Sequence, residues 1–249
     1  MSYTNITYAS TTPLENYVNN NWVYSPGTTF IKKDVLARGA HFVLAPSFFI
    51  TCAVDTIIGL GVGIGAFCTL GKHKPICEIA YAHLYSSNML FVRPYVNLLQ
   101  TINPEAKLAD RSNFKGNIPF FINYHGETKL CITNNKPPMI TADGTGYLSD
   151  LIINPLKDIG RSCYNSNNFL KRHVASRLTY ALLAVSCLIT RAVDGVIGVV
   201  AASLSILTGG KFESLNNLAY RTLQAPGIIN DLFYCTIKFI NPWTGTSKA

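Results

Sequence analysis

Two aspartates in this chain have surroundings that invite chemistry. Asp55 is the only acid or base, histidine aside, between Gly39 and Gly71, and Asp194 follows Arg191 by three residues in a second apolar run. A carboxylate is costly to bury, so one held in an apolar run marks either a satisfied packing contact or an ion or proton site within a membrane. Other reactive groups form no machinery. Cys131 or Cys163 with His125 would supply a nucleophile and a base, but nothing in their spacing sets a triad. The five histidines (41, 73, 83, 125 and 173) meet no carboxylate at a metal-ligand spacing. The run Gly59-Leu60-Gly61-Val62-Gly63-Ile64-Gly65 lacks both the lysine of a phosphate loop and the dinucleotide spacing, and no GxSxG or HExxH is present. Basic residues are not interleaved with stacking aromatics, so nucleic acid is not the expected partner. These patterns imply no enzyme, no cofactor and no metal.

What must position the aspartates is a chain with too much apolar surface for one ordinary core. Of 249 residues, 48% are hydrophobic and only 14% charged, and the mean hydropathy is +0.21. A soluble domain carries about 25% charge. The net charge of +8 calls for an acidic partner surface. Seven scattered cysteines with no CxxC spacing read as reduced, mostly buried thiols.

Slid over itself by 139 positions, the chain repeats. Residues 30–84 match 169–223 at 20 of 55 places, most densely where Ile50-Thr51-x-Ala53-Val54-Asp55 meets Ile189-Thr190-x-Ala192-Val193-Asp194. The Ile102-Asn103-Pro104 end meets Ile240-Asn241-Pro242 after one lost residue. The expectation is a mainly α fold of two tandem repeats, 30–104 and 169–242, with about three helices each and a pseudo-two-fold between them. Residues 1–29 read as a polar head and 243–249 as a tail. The connector 105–168 carries Ile118–Tyr124 and Thr128–Thr133 around His125-Gly126, which reads as a β-hairpin near 118–133.

Each repeat should open with a long apolar helix that ends at Thr-x-Gly-Lys (69–72 and 208–211). Pro46 should kink or break the first of these. Thr51, Asp55, Gly59 and Gly63 lie four apart on one face, and Thr190, Asp194, Gly198 and Ala202 reproduce it. Small residues at that spacing predict close helix approach, here the contact between the copies. Preceding each helix is a basic cluster with an aromatic neighbour: Phe30, Lys32, Lys33 and Arg38, then Phe169, Lys171, Arg172 and Arg177. Such clusters can hold anionic membrane lipids at about 1 kcal/mol per charge. Whether the apolar helices span a bilayer, lie on it or form only a soluble core stays open at this point. The other class of function is a protein-binding scaffold whose connector hairpin docks a host or bacterial partner.

The uncharged Ser/Thr/Asn-rich head, the Ile-Thr-x-Ala-Val-Asp-x-x-Ile-Gly core and the Leu223–Ile229 tract with its Ile-Asn-Pro-Trp end (240–243) resemble membrane-associated secreted proteins of chlamydia-type intracellular bacteria. The resemblance covers the two repeats. It implies export by type III secretion, with 1–29 as the signal, and action on host membranes or at the inclusion. The chain departs from the inclusion-membrane pattern of two adjacent hydrophobic lobes, because its apolar runs lie 139 residues apart. By resemblance it is therefore expected to be a peripheral, membrane-binding effector that bends membranes, rather than an integral inclusion protein.

Overall fold

A computed structural model describes residues 5–106 and 147–242, and they are mainly helical; among the described residues there is no strand. The hairpin expected near 118–133 lies outside the described residues.

The chain opens with α1 (Ile6–Val18), which runs into a π-helical turn at Asn19–Val23. The polar head is thus helical from Ile6. Its polar side chains are used inward: Asn5 accepts from Tyr8 N at 2.8 Å and donates to Ala82 O at 3.2 Å, and Thr7, Thr11 and Glu15 are buried. A π-helical turn at Ile31–Leu36 leads into α2 (Ala37–Cys68), 32 residues and about 48 Å long at 1.5 Å per residue. Pro46 does not break it. It lies on the exposed face and offers no N–H to Phe42 O, and the next residue, Ser47, donates its Oγ to Val43 O at 2.8 Å.

After α2 the backbone turns left-handed at Leu70 and Gly71, and Gly71 N closes onto Ala66 O at 3.0 Å. Next come α3 (Lys74–Leu84), a 3₁₀ turn (Tyr85–Met89) and α4 (Val92–Ile102), stopped where Asn103 goes extended before Pro104. The second stretch runs through α5 (Tyr147–Asn165), a π-helical turn (Lys171–Ala175) and the 32-residue α6 (Ser176–Leu207). It turns at Gly209 and Gly210 into α7 (Glu213–Thr222), a 3₁₀ turn (Ala225–Gly227) and α8 (Ile228–Ile240).

Helices α3 and α4 return along α2. Leu84 packs at Gly59, Phe91 stacks on Phe49 at 6.2 Å, His41 Nδ1 is 2.8 Å from Asn97 Oδ1, and Glu105 pairs with Lys33. On α6, Asp231 meets Arg191 and Cys235 packs with Cys187, so α8 also runs back along its long helix. The two stretches interleave. Val92, Tyr95, Val96 and Leu99 of α4 share a core with Ala201, Ala202, Ala219 and Tyr220, while Phe233 and Ile237 of α8 pack on Ala66, Cys77 and Ala80. Where they meet, Asn88 fills the space beside Gly227 so closely that any Cβ there would overlap it.

The ends of the long helices follow from these contacts. Asn103 Nδ2 donates to Gly209 O at 3.4 Å, two residues before the glutamate that holds Lys33, so the start of α2 lies near the end of α6. Reciprocally, Asn241 Nδ2 donates to Gly71 O at 3.3 Å, which joins the end of α8, and with it the start of α6, to the end of α2. The long helices are antiparallel.

Candidate membrane-facing surface

Each long helix buries one side and exposes the other. On α2 the open side carries Phe42, Phe49, Ile50, Ile57, Leu60 and Ile64, and on α6 it carries Leu182, Val185, Ile189, Val196, Val200 and Leu207. Ile57 and Val196 are each 68% exposed at mid-helix. No exposed residue from Gly39 to Cys68, or from Leu178 to Leu207, carries a charge. Soluble monomers rarely show contiguous apolar surface beyond a few hundred Å², and here it runs the length of two helices. Both helices are long and apolar enough to cross a membrane.

The charges that interrupt these runs in sequence all turn inward. Asp55 is fully buried and accepts from Ile6 N and Thr7 N (2.9 Å each), Thr7 Oγ1 (2.6 Å) and Ser86 Oγ (3.1 Å), with His83 Nδ1 at 2.9 Å. The carboxylate thus caps the open N-terminus of α1, where unpaired N–H groups and the positive helix end both favour an anion. Asp194, also buried, accepts from Leu148 N at 3.2 Å at the start of α5. Arg191 is 2% exposed and holds Asp231 through Nε at 3.0 Å and Nη2 at 2.8 Å, and Lys157 of α5 lies 3.6 Å from the other oxygen of Asp231. A helix read linearly puts these charges in the apolar run; its 3.6-residue period puts them on the protein side.

The small-residue face does permit close approach, but its partners differ from those expected. A Cβ on Gly59 would lie 2.7 Å from Leu84 N, and one on Gly198 would lie 2.8 Å from Leu223 N, so both glycines receive the next helix of their own stretch rather than the other stretch. The reason is the short loop after each long helix, which brings α3 and α7 back before any distant segment can reach. Gly63 and Ala202, one turn on, do face across: Phe233 would stand 3.3 Å from a Cβ at Gly63, and Ala202 shares the α4 core. Thr51 bonds Ser47 O at 3.1 Å with Thr11 Oγ1 at 3.3 Å, and Thr190 bonds Ser186 O at 2.9 Å.

The basic clusters lie at opposite ends of the molecule, not on one surface as a single distributed site would require, because α2 and α6 are antiparallel. Lys32 and Lys171 are exposed, beside Phe30 at 73% and Phe169 at 70%. Lys33 is held by Glu105, Arg38 by Asp34 at 3.1 Å, and Arg172 lies over the Tyr164 ring at 5.8 Å. Arg177, the second residue of α6, is half-buried. Lys211 and Glu213 join the Lys32 end, while Lys72 and Lys74 join the Lys171 end.

Sequence reasoning missed α1, α5 and the Glu15, Arg93, Lys157 and Asp231 links they make; the available signal was Pro13-Leu14-Glu15-Asn16 against Pro155-Leu156-Lys157-Asp158. Among the described residues no three or more metal-ligating side chains gather. Cys52, Cys77, Cys187 and Cys235 are buried free thiols. No family model, curated protein or solved structure matches this chain.

Proposed function

We propose that this chain is a non-enzymatic membrane protein that seats the uncharged faces of α2 and α6 among lipid acyl chains and holds anionic phospholipid headgroups at the basic ends of both helices. The observation that carries the reading is the sorting of charge. Each charge within the apolar runs is buried and partnered, and the exposed residues between the basic ends are uncharged. Burying paired charges and turning the apolar side outward is the arrangement lipid demands and water does not. The resemblance to secreted proteins of chlamydia-type bacteria makes a host-cell membrane the bilayer on which we propose it acts, as an effector.

The same reading takes the chain as a duplicated unit with an approximate two-fold. Supporting it are the 20 identities in 55 positions and the equal 32-residue length of α2 and α6. The shared order of helix, π-helical turn, long helix, left-handed turn, helix, 3₁₀ turn and helix supports it too, the first stretch adding a second π-helical turn at Asn19–Val23. On this view the unit begins at α1 and α5, each capped by the aspartate of its own long helix.

Flotation tests the reading. The full chain should float with phosphatidylserine-containing vesicles and stay with them in alkaline carbonate. Reversing the exposed Lys32 and Lys171 to glutamate should abolish the preference for phosphatidylserine over phosphatidylcholine while leaving the helical signal intact, since exposed charges add little to stability. A chain that remains soluble and monomeric beside both kinds of vesicle would contradict it.

A further inference from the structure

The antiparallel course of the long helices decides how such a protein meets a bilayer. We infer, resting on the membrane reading above, that the chain crosses the bilayer with Lys32 at one leaflet and Lys171 at the other, so that one molecule engages anionic headgroups on both sides. The ligand of each end is the phosphate-bearing headgroup, and the occupant of the faces between them is lipid acyl chain.

Length supports crossing. From Phe42 to Ile64 the open face of α2 spans about 33 Å, and from Leu178 to Leu207 that of α6 spans about 43 Å, at 1.5 Å per residue. A hydrocarbon core is about 30 Å thick and the bilayer with headgroups about 40–45 Å. The basic starts and the Gly-Lys turns thus fall at headgroup depth at both ends.

Charge placement argues against lying flat. A helix resting in one leaflet keeps a polar, charged flank toward water along its whole length. Here the open sides of the shorter helices are apolar as well: Ile6, Leu14 and Tyr17 on α1, Leu98 on α4 and Phe239 on α8 are exposed. Among the described residues, the exposed charges are confined to the two ends. Lys32, Glu105, Lys211 and Glu213 stand at one; Lys72, Lys74, Lys171 and Asp158 stand at the other, the last on the part of α5 whose Gly160 packs by Tyr180. Among the described residues, exposed charge thus gathers at the two ends, while Arg93, Lys157 and Arg221 between them are only half-buried.

The test counts tags. In the full chain with Cys68, Cys131 and Cys163 replaced by serine, Lys32→Cys and Lys171→Cys are introduced together. The protein is reconstituted into sealed vesicles of phosphatidylcholine with phosphatidylserine. An impermeant polyethylene glycol maleimide added outside should attach once to each molecule, whichever way it inserted, and twice after detergent opens the vesicles. A second variant, Lys32→Cys with Lys211→Cys, places both thiols at one end and should take two tags or none. Two external tags on Lys32→Cys/Lys171→Cys in molecules that still float would overturn the crossing and leave the membrane reading standing. Failure to float at all would overturn both. One tag on each molecule of the same-end variant would overturn the antiparallel placement on which the inference rests.

Discussion

Arg93 and Asp231 each stand ten residues before the Asn-Pro that ends their helix, and each closes onto the helix that opens its stretch, with the signs of the pair exchanged. Arg93 of α4 holds Glu15 of α1, while Asp231 of α8 holds Lys157 of α5 at 3.6 Å. Asn97 adds a bond to Glu15 at 3.0 Å, and Arg191 adds two to Asp231. The opening helix is tied to the closing helix in both stretches, by pairs that differ only in which side carries the carboxylate.

Arg93→Asp would set two carboxylates against each other in a nearly closed site, and breaking a buried pair costs about 3–5 kcal/mol. Adding Glu15→Lys rebuilds the arrangement of α5 and α8. Unfolding in detergent micelles should show a large loss for the single variant and recovery of more than half of it in the double. Equal loss in both would mean that these charges are not coupled.

Glycines on one helix should respond with opposite signs. Gly59→Ala and Gly198→Ala place a Cβ within 2.7–2.8 Å of neighbouring backbone, so each should cost about 1–3 kcal/mol through overpacking. Gly61 has open space around it, and Gly61→Ala should instead stabilise by about 0.5–1 kcal/mol through helix propensity. Melting temperatures of the three variants check the pattern; uniform shifts would contradict it.

The turn after α2 stores strain that the turn after α6 avoids. Leu70 sits at φ 50°, where an L side chain is disfavoured, and its counterpart Gly209 takes φ 63° freely. Leu70 is 54% exposed, so little packing is lost by removing it. Leu70→Gly should therefore raise stability by about 0.5–1 kcal/mol, whereas Leu70→Ala should not, since alanine keeps the Cβ clash. A higher melting temperature for the glycine variant alone is the expected result.

The long helices, their glycine turns and their Asn-Pro stops were legible because each is written in contiguous residues. Apolar period, left-handed cap and pre-proline restriction are local. The opening helices were not, because α1 is held by Asp55, some 48 residues away, and carries few apolar residues of its own. Its Asn and Thr side chains look solvated until the partner that satisfies them is known. The direction in which the mid-run charges face was not legible for a related reason. Asp55, Arg191 and Asp194 are dear at the centre of a bilayer only if they face lipid, and which way they face depends on helices that return from elsewhere in the chain. The glycine face announced close approach without naming its partner, since a small residue admits any backbone.

Exposed apolar faces on α2 and α6 are the basis of the membrane account, and a charge placed at the middle of each tests it most directly. Ile57→Arg and Val196→Arg replace two 68%-exposed side chains that make little use of the protein core. In water such changes are harmless or aid solubility, whereas at a bilayer centre each arginine costs about 2.5–3.5 kcal/mol. The measurement is vesicle flotation after alkaline carbonate, comparing the parent chain with the double variant. The account predicts a parent that floats and a variant that is released while retaining its helical signal in detergent. A double variant that floats as fully as the parent, or a parent that never enters the floated fraction, would contradict it.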